Sequence, residues 1–91
     1  MSISIEIPSA LRPQAGDRSS VEVEGGSIGE ALVCLTGLYP ELGKRLYKGE
    51  GELNRFINIY VNDEDIRFLD NLETAIQSGD EIAIVPAIAG G

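Results

Sequence analysis

Hydrophobic and polar residues alternate in four stretches of the chain: SISIEI, SSVEVEG, FINIYVN and EIAIV. Successive side chains of a β-strand point to opposite faces of its sheet, so each stretch predicts a strand with one buried face. The first two stretches are joined by a loop with proline and glycine, which predicts a hairpin. A shorter stretch, IRFL, predicts one further brief strand. The residues expected to face the core are Ile3, Ile5, Ile7, Val21, Val23, Ile57, Ile59, Val61, Ile82 and Ile84.

A segment with the sequence pattern of an amphipathic α-helix begins at Ser27. Ser27 and Glu30 have the spacing of a capping box, in which each side chain accepts a hydrogen bond from the other residue's backbone N–H. Apolar residues then recur every three or four positions until Gly37 and Pro40 end the segment. We expect this apolar stripe to cover one face of the sheet. Its members are Ile28, Ala31, Leu32, Leu35 and Tyr39.

The remaining segments are more polar or contain glycine. PELGKRLY, residues 40–47, predicts a short irregular turn, and KGEGELNR, residues 48–55, predicts a polar loop. NDED, residues 62–65, predicts a turn, and NLETAI, residues 71–76, a single helical turn.

The predicted order is two strands, one long helix and two or three further strands, which is an α+β pattern. This order matches the β-grasp, or ubiquitin-like, fold: a mixed sheet of four to five strands wraps one main helix, and the first and last strands lie parallel at its centre. A chain of 91 residues is long enough for one small domain. We therefore expect residues 1–85 to form a β-grasp domain and residues 86–91 a flexible C-terminal Gly-Gly tail.

Composition argues against several classes of function. Seven basic and fifteen acidic residues give a net charge of −8, which repels the phosphates of nucleic acids. No apolar run approaches the roughly 20 residues of a membrane-spanning helix. The N-terminal MSISIEIPS also lacks the features of a secretory signal. We expect a cytoplasmic protein that binds neither nucleic acid nor membranes.

The sequence predicts no catalytic residue and no metal site. With one cysteine and no histidine, the chain lacks the ligands of a Cys/His metal site or an iron–sulfur cluster. Cys34 lies inside the predicted helix with no histidine to activate it, so we interpret it as structural. NDED, residues 62–65, resembles the start of a calcium loop but lacks the required glycine and distal glutamate, so we interpret it as a solvated turn.

The last residues, VPAIAGG, are apolar and end in two glycines. Six extended residues after the last strand of a β-grasp would reach roughly 20 Å from the sheet. Glycine has no Cβ and permits close backbone approach inside a narrow channel. We therefore expect the carboxylate of Gly91 to be the reactive group, with Gly90 providing clearance.

An apolar patch beside Ala83 would dock the partner. The residues expected to dock are Phe56, Tyr60, Val85 and Ile88.

Two stretches, RFINIYVNDEDIRF and TAIQSGDEIAIVPAIAGG, resemble the ThiS/MoaD family of ubiquitin-like sulfur carriers. The likeness is greatest to the CysO-type carriers of cysteine biosynthesis. It extends from IPSALRP to Gly91 and is densest over residues 55–91. The final AGG is shared with the thiamine and molybdopterin carriers, so it indicates the family more strongly than the branch.

The resemblance implies a carrier protein with no cofactor of its own, not an enzyme. It implies that an E1-like enzyme uses ATP to adenylate the Gly91 carboxylate, which is then converted to a sulfur-donating thiocarboxylate. For a CysO-type carrier it also implies a pyridoxal-phosphate-dependent cysteine synthase as recipient and a JAMM-type metalloprotease that releases the cysteine. Three alternatives stay open: a molybdopterin- or thiamine-pathway carrier, a ubiquitin-like modifier that forms isopeptide conjugates, and a binding module without tail chemistry.

Overall fold

The computed structural model describes residues 3–49, 52–54 and 57–86. Within these ranges two α-helices lie between the N-terminal hairpin and the later strands: α1 (Ile28–Leu38) and α2 (Pro40–Leu46). Short 3₁₀ helices span Ser9–Ala15, Ile66–Phe68 and Asn71–Glu73. In chain order the strands are β1 (Ile3–Glu6), β2 (Ser20–Val23), β3 (Tyr47–Gly49), β4 (Glu52–Leu53), β5 (Ile57–Val61), β6 (Glu64–Asp65) and β7 (Glu81–Pro86).

Five of these strands form one mixed sheet in the order β2-β1-β7-β5-β6. β1 pairs in parallel with β7, and the other neighbours in this sheet are antiparallel. The first and last strands therefore lie side by side at the centre, as the β-grasp prediction requires. None of the helices in the described ranges has the length and hydropathy needed to span a lipid bilayer.

The hydrophobic core lies between this sheet and helix α1. Nine of the ten strand residues predicted to face the core are buried, and Ile57 is half-buried and packs against the same core. From the helix, Ile28, Ala31, Leu32 and Leu35 are completely buried. The alternation in the strands therefore correctly predicted the buried face of the sheet, and the apolar stripe correctly predicted the face of α1 that packs against it.

The predicted capping box at α1 is half correct. Ser27 Oγ accepts a hydrogen bond from the Glu30 backbone N–H at 3.2 Å. Glu30 Oε1, however, accepts from the N–H of Gly26 at 2.7 Å and not from that of Ser27. The chain before the helix is bonded to a neighbouring segment through Ile28 N–H to Thr74 O and Ile76 N–H to Gly26 O. These bonds orient the turn so that the Gly26 N–H points towards the glutamate.

Four predicted segments differ from the structure. The turn expected over residues 62–65 is confined to Asn62 and Asp63, because Glu64–Asp65 form β6 and Asp65 is buried. Residues 40–47 contain the regular helix α2 because Pro40 occupies its first turn, where proline costs no hydrogen bond, and Leu42 and Leu46 are buried one turn apart. The expected loop over residues 48–55 contains strand residues, since β3 and β4 form a separate antiparallel pair. IRFL is not a strand, because the chain turns into the 3₁₀ helix Ile66–Phe68 directly after β6.

Candidate docking face and the end of β7

The outward face of the sheet carries a small apolar patch where β5 meets β7. Tyr60 lies opposite Ala83, and Asn58 lies opposite Val85, so these side chains share the face turned away from α1. Val85 is 43% exposed, whereas Tyr60 and Ala83 are half-buried. We call Tyr60, Ala83 and Val85 the outer patch. Its position agrees with the predicted facing of Tyr60 and Val85, whose docking role stays a prediction.

Carboxylates border the outer patch at the end where β7 begins. Glu6, on β1, lies beside Ala83 in the parallel pairing. Glu6, Asp63 and Glu81 together line a cleft of about 270 Å³ on this side. The start of β7 is anchored here, because the side-chain oxygen of Asn62 accepts from Glu81 N–H at 3.1 Å. This end of the face is therefore firmly placed and negatively charged.

A second cleft opens at the other end of β7. The pairing of β1 with β7 ends at Glu6 and Ala83, whereas β5 stays paired with β7 through Pro86. Where β1 diverges, a cleft of about 320 Å³ opens beside Val85. Arg12 lines this cleft, and its Nε–H donates to Ile7 O at 3.1 Å. A cation therefore lies next to the last residues of β7.

Asp65 and Arg67 form a tight ion pair beside the outer patch. Asp65 lies opposite Tyr60 in the β5–β6 pairing, and only 7% of its side chain is exposed. Arg67 Nη2 donates to Asp65 Oδ2 at 2.8 Å, and the Arg67 backbone N–H donates to Asp65 Oδ1 at 2.8 Å. These hydrogen bonds, with the positive charge of Arg67, hold the pKa of Asp65 below its ordinary value of 3.8.

Sequence reasoning did not identify Arg12 or the Asp65–Arg67 pair as part of this face. The spacing D-x-R directly after a turn was an available signal for the pair, because an aspartate commonly accepts from the backbone N–H two residues ahead. Arg12 offered no such local signal. Its position depends on contact with Ile7, and on a cleft that forms only when β1, β2 and β7 assemble.

Four of the predicted site residues lie outside the described residues: Phe56, Ile88, Gly90 and Gly91. Cys34 is half-buried in α1 and packs against the core, in agreement with a structural role. Within the described ranges, no group of three His, Cys, Asp or Glu side chains is arranged to hold a metal ion. The described residues thus form an apolar patch with charged borders, at which the central strand β7 ends.

Comparison with known families identifies the chain. The sequence model of the ThiS family matches residues 5–91, which include the second half of β1, the other four strands of the central sheet and both terminal glycines. The chain belongs to the ThiS family. The family match therefore confirms the family resemblance carried by the strand and tail motifs.

Two kinds of named protein, a sulfur carrier and a small archaeal modifier, resemble the chain over most of its length. The sulfur carrier protein CysO of Mycobacterium tuberculosis is 44% identical over 93 residues, which covers 100% of both chains. Small archaeal modifier protein 1 of Haloferax volcanii is 38% identical over 83 residues, covering 89% of this chain and 91% of that protein.

A solved structure confirms the ThiS-family fold. The crystal structure of the Amycolatopsis orientalis BexX/CysO complex contains a chain that superposes with a TM-score of 0.90 and 42% sequence identity. The match covers 98% of this chain and 99% of that one. Both the ubiquitin-like β-grasp and the greater likeness to CysO-type proteins agree with the sequence predictions.

Proposed function

We propose that this ThiS-family protein is a sulfur carrier whose reactive group is the carboxylate of Gly91. The observation that carries the proposal is the similarity to the sulfur carrier protein CysO over the full length of both chains. The family match reaches Gly91, so the similarity includes the proposed acceptor. The position of β7 supports it too, because the segment that bears Gly91 continues from a strand in the middle of the sheet.

Loading takes two chemical steps in this proposal. An oxygen of the Gly91 carboxylate attacks the α-phosphorus of ATP in an E1-like enzyme, which forms an acyl adenylate and releases pyrophosphate. Sulfide then attacks the carbonyl carbon and displaces AMP, and loss of the S–H proton leaves a thiocarboxylate. The partner enzymes provide the catalytic groups, and the carrier acts as a substrate that is regenerated.

The contribution of this chain is positioning. The outer patch would contact an apolar surface of the activating enzyme, which fixes the body of the carrier. From there the segment after Pro86 would enter the active site, and Gly90 would leave room for the reacting atoms because it has no Cβ. Correct positioning of two reactants is a large part of catalysis, and a misplacement of about 1 Å can cost on the order of a hundredfold in rate.

We further propose that the sulfur goes to cysteine biosynthesis, as the likeness to CysO suggests. The recipient would be a pyridoxal-phosphate-dependent cysteine synthase that joins the thiocarboxylate sulfur of Gly91 to an aminoacrylate, after which an acyl shift from sulfur to nitrogen would leave cysteine amide-linked to Gly91. A JAMM-type metalloprotease would then release the cysteine and restore the carboxylate. Both the pyridoxal phosphate and the ATP belong to the partners, in a reaction that we place in the cytoplasm.

Protein modification is the second candidate function. It is favoured by the 38% identity to small archaeal modifier protein 1 of Haloferax volcanii. A modifier would undergo the same adenylation at Gly91 but would transfer its acyl group to a lysine of a target protein, forming an isopeptide bond. The two functions therefore differ in the product and share the activated intermediate.

The mass of the product distinguishes these functions. The chain is incubated with the E1-like enzyme of the same organism, ATP and a sulfide source, and its intact mass is measured. A gain equal to the replacement of one oxygen by sulfur, absent when ATP is omitted, is the expected result. Conjugates with target proteins and no thiocarboxylate would instead indicate a modifier. An unchanged mass with an enzyme that loads another family member would contradict both.

A further inference from the structure

Arg12 is a cation at the end of β7 that forms no ion pair with any residue the structure describes, although Glu6 also lines its cleft. Its Nε–H donates to Ile7 O at 3.1 Å, and this bond holds the half-buried guanidinium along the cleft beside Val85. Within the described ranges Arg12 has no ion pair, although Arg67 and Lys44 each have one. An arginine that is pinned through Nε keeps its Nη groups for a second, bidentate contact.

The charges on the outward face differ between its two ends. Carboxylates of Glu6, Asp63 and Glu81 line the cleft near the start of β7. Arg12 lines the cleft near its end. Glu6 and Ala83 line both clefts, so the two ends differ by Asp63 and Glu81 at the start of β7 and by Arg12 at its end. A protein surface that matched this pattern would be basic at one end and acidic at the other. Such complementarity sets the orientation of docking as well as its affinity.

We infer that Arg12 is a docking residue that binds an acidic side chain of the activating enzyme beside the entrance to its active site. This inference rests on the proposed function, because it names the chemistry of the partner surface that receives the carrier. The ion pair would fix the direction in which β7 points into the enzyme. A partner bound in the reverse orientation would set its basic end against Arg12 and its acidic end against Asp63 and Glu81, which disfavours it.

Distance favours an acidic side chain of the enzyme over the phosphates of ATP as the group that Arg12 contacts. The ATP phosphates react at Gly91, which is the fifth residue after Pro86. Five residues in extended form span roughly 17 Å, and Arg12 lies beside Ala83 and Val85, before that segment begins. With the tail extended into the enzyme, Arg12 is therefore too far from the reacting phosphates to contact them.

The test compares Arg12→Glu, Arg12→Gln and Arg12→Lys in the loading reaction with the activating enzyme at saturating ATP. We expect Arg12→Glu to raise the KM for the carrier by about tenfold or more with little change in kcat, because the lost contact serves docking and not chemistry. Arg12→Gln should give a smaller increase, and Arg12→Lys a still smaller one, because lysine keeps the charge but loses the bidentate geometry. Arg45→Glu is the matched control, since this exposed residue of α2 makes the same charge change and does not line the cleft.

Each further result decides for or against the docking role. Equal losses in Arg12→Lys and Arg12→Gln would overturn it, because they would show that the bond to Ile7 O matters and the charge does not. A raised KM for ATP would also overturn it, as would an unchanged carrier KM in Arg12→Glu. Recovery of Arg12→Glu by a lysine in place of one acidic residue of the enzyme would support it. Failure of the wild-type chain to gain sulfur would contradict the proposed function instead, so the two failures are distinguishable.

Discussion

Gly25 lies where the chain passes closest to the first turns of α1. A Cβ at this position would lie 2.8 Å from the backbone nitrogen of Ala31 and 3.1 Å from Cβ of Glu30. Real Cβ atoms do not approach a backbone atom so closely, so either the loop or the helix would have to move. Glycine is required here by the space between the end of β2 and the helix.

We expect Gly25→Ala to lower the free energy of unfolding by about 1–3 kcal/mol, the usual cost of forcing extra volume into a packed region. Gly37→Ala is the matched control, because a Cβ at Gly37 meets nothing within 4 Å. Because Gly37 lies in the last turn of α1, this change should raise the stability by less than the roughly 1 kcal/mol gained in a helix interior. Urea denaturation measures both. Wild-type stability in Gly25→Ala would show that the loop can move away without cost.

The Asp65–Arg67 pair links stability to pH. The pKa of Asp65 is lowered in the folded chain, first by its side-chain hydrogen bonds with Arg67 and then by the Arg67 backbone N–H. A group with a lowered folded-state pKa stabilises the fold above its unfolded-state value, and the contribution is lost as pH falls through the folded-state value. The ion pair therefore contributes fully near neutral pH and loses its contribution in acid, starting near the ordinary aspartate value of 3.8.

We expect Asp65→Asn to lower the urea midpoint near neutral pH, because the amide keeps the acceptor oxygen but loses the charge. The difference from the wild type should shrink as the pH falls towards about 2, where the wild-type carboxyl is also neutral. Urea titrations across this range measure it. Arg67→Gln should remove part of the same pH dependence, leaving the part due to the backbone hydrogen bond. A difference that stayed constant with pH would contradict the assignment to this pair.

At the scale of elements, α2 shows why sequence pattern alone was insufficient. The segment contains Pro40 and Gly43, which both disfavour a helix interior and led to the prediction of an irregular turn. The structure needs the glycine for packing, because a Cβ at Gly43 would lie 3.3 Å from the side chain of Thr36 in α1. Close contact between the two helices therefore outweighs the weak helix propensity of the segment.

One part of the candidate site could be predicted from the sequence and another part could not. The facing of Tyr60 and Val85 was predictable, because the alternation of side chains in a strand also determines its exposed face. The Arg12 cleft was not, because it forms where β1 diverges from β7 and involves residues more than 60 positions apart in the chain. Local pattern predicts which side a residue faces, whereas contacts between distant segments decide which neighbours it has.

The outer patch, which includes Val85 of β7, leads to a prediction about docking. We expect Val85→Asp to weaken binding to the activating enzyme by at least about tenfold, since a charge would replace an apolar contact at the interface. Val85 is 43% exposed, so the charge meets water in the free protein and the fold should persist. Isothermal titration with the activating enzyme measures the affinity, and circular dichroism checks the fold.

Val33→Asp is the matched control for this substitution. Val33 is 67% exposed on α1, and α1 covers the opposite face of the sheet. The same chemical change there should leave the affinity for the activating enzyme unchanged. Equal losses in the two variants would show that the effect follows added negative charge in general. Full affinity in Val85→Asp would place the docking surface elsewhere on the molecule.

At the scale of the whole molecule, the topology connects the segment that we propose to react to a strand in the middle of the sheet. β7 has a neighbour on each side, and its parallel pairing with β1 joins the two ends of the domain. Forces on the segment after Pro86 are therefore transmitted to the centre of the sheet and not to an edge strand. A carrier that is bound, loaded and released repeatedly benefits from this placement, because its body stays folded while its terminus reacts.

The position of the Gly91 carboxylate relative to this body leads to the last prediction. A chain extended by one alanine after Gly91 should fold as the wild type does but should not gain sulfur. Its carboxylate would be displaced by roughly 3.3–3.6 Å, far more than the roughly 1 Å that already costs about a hundredfold in rate. Gly90→Val should also prevent loading, by steric exclusion and without changing the chain length. Intact mass after incubation with the activating enzyme, ATP and sulfide measures the outcome, and a urea titration of each variant checks the fold. If the extended chain acquired sulfur as readily as the wild type, a carboxylate at Gly91 would not be the acceptor, and the proposed mechanism would be wrong.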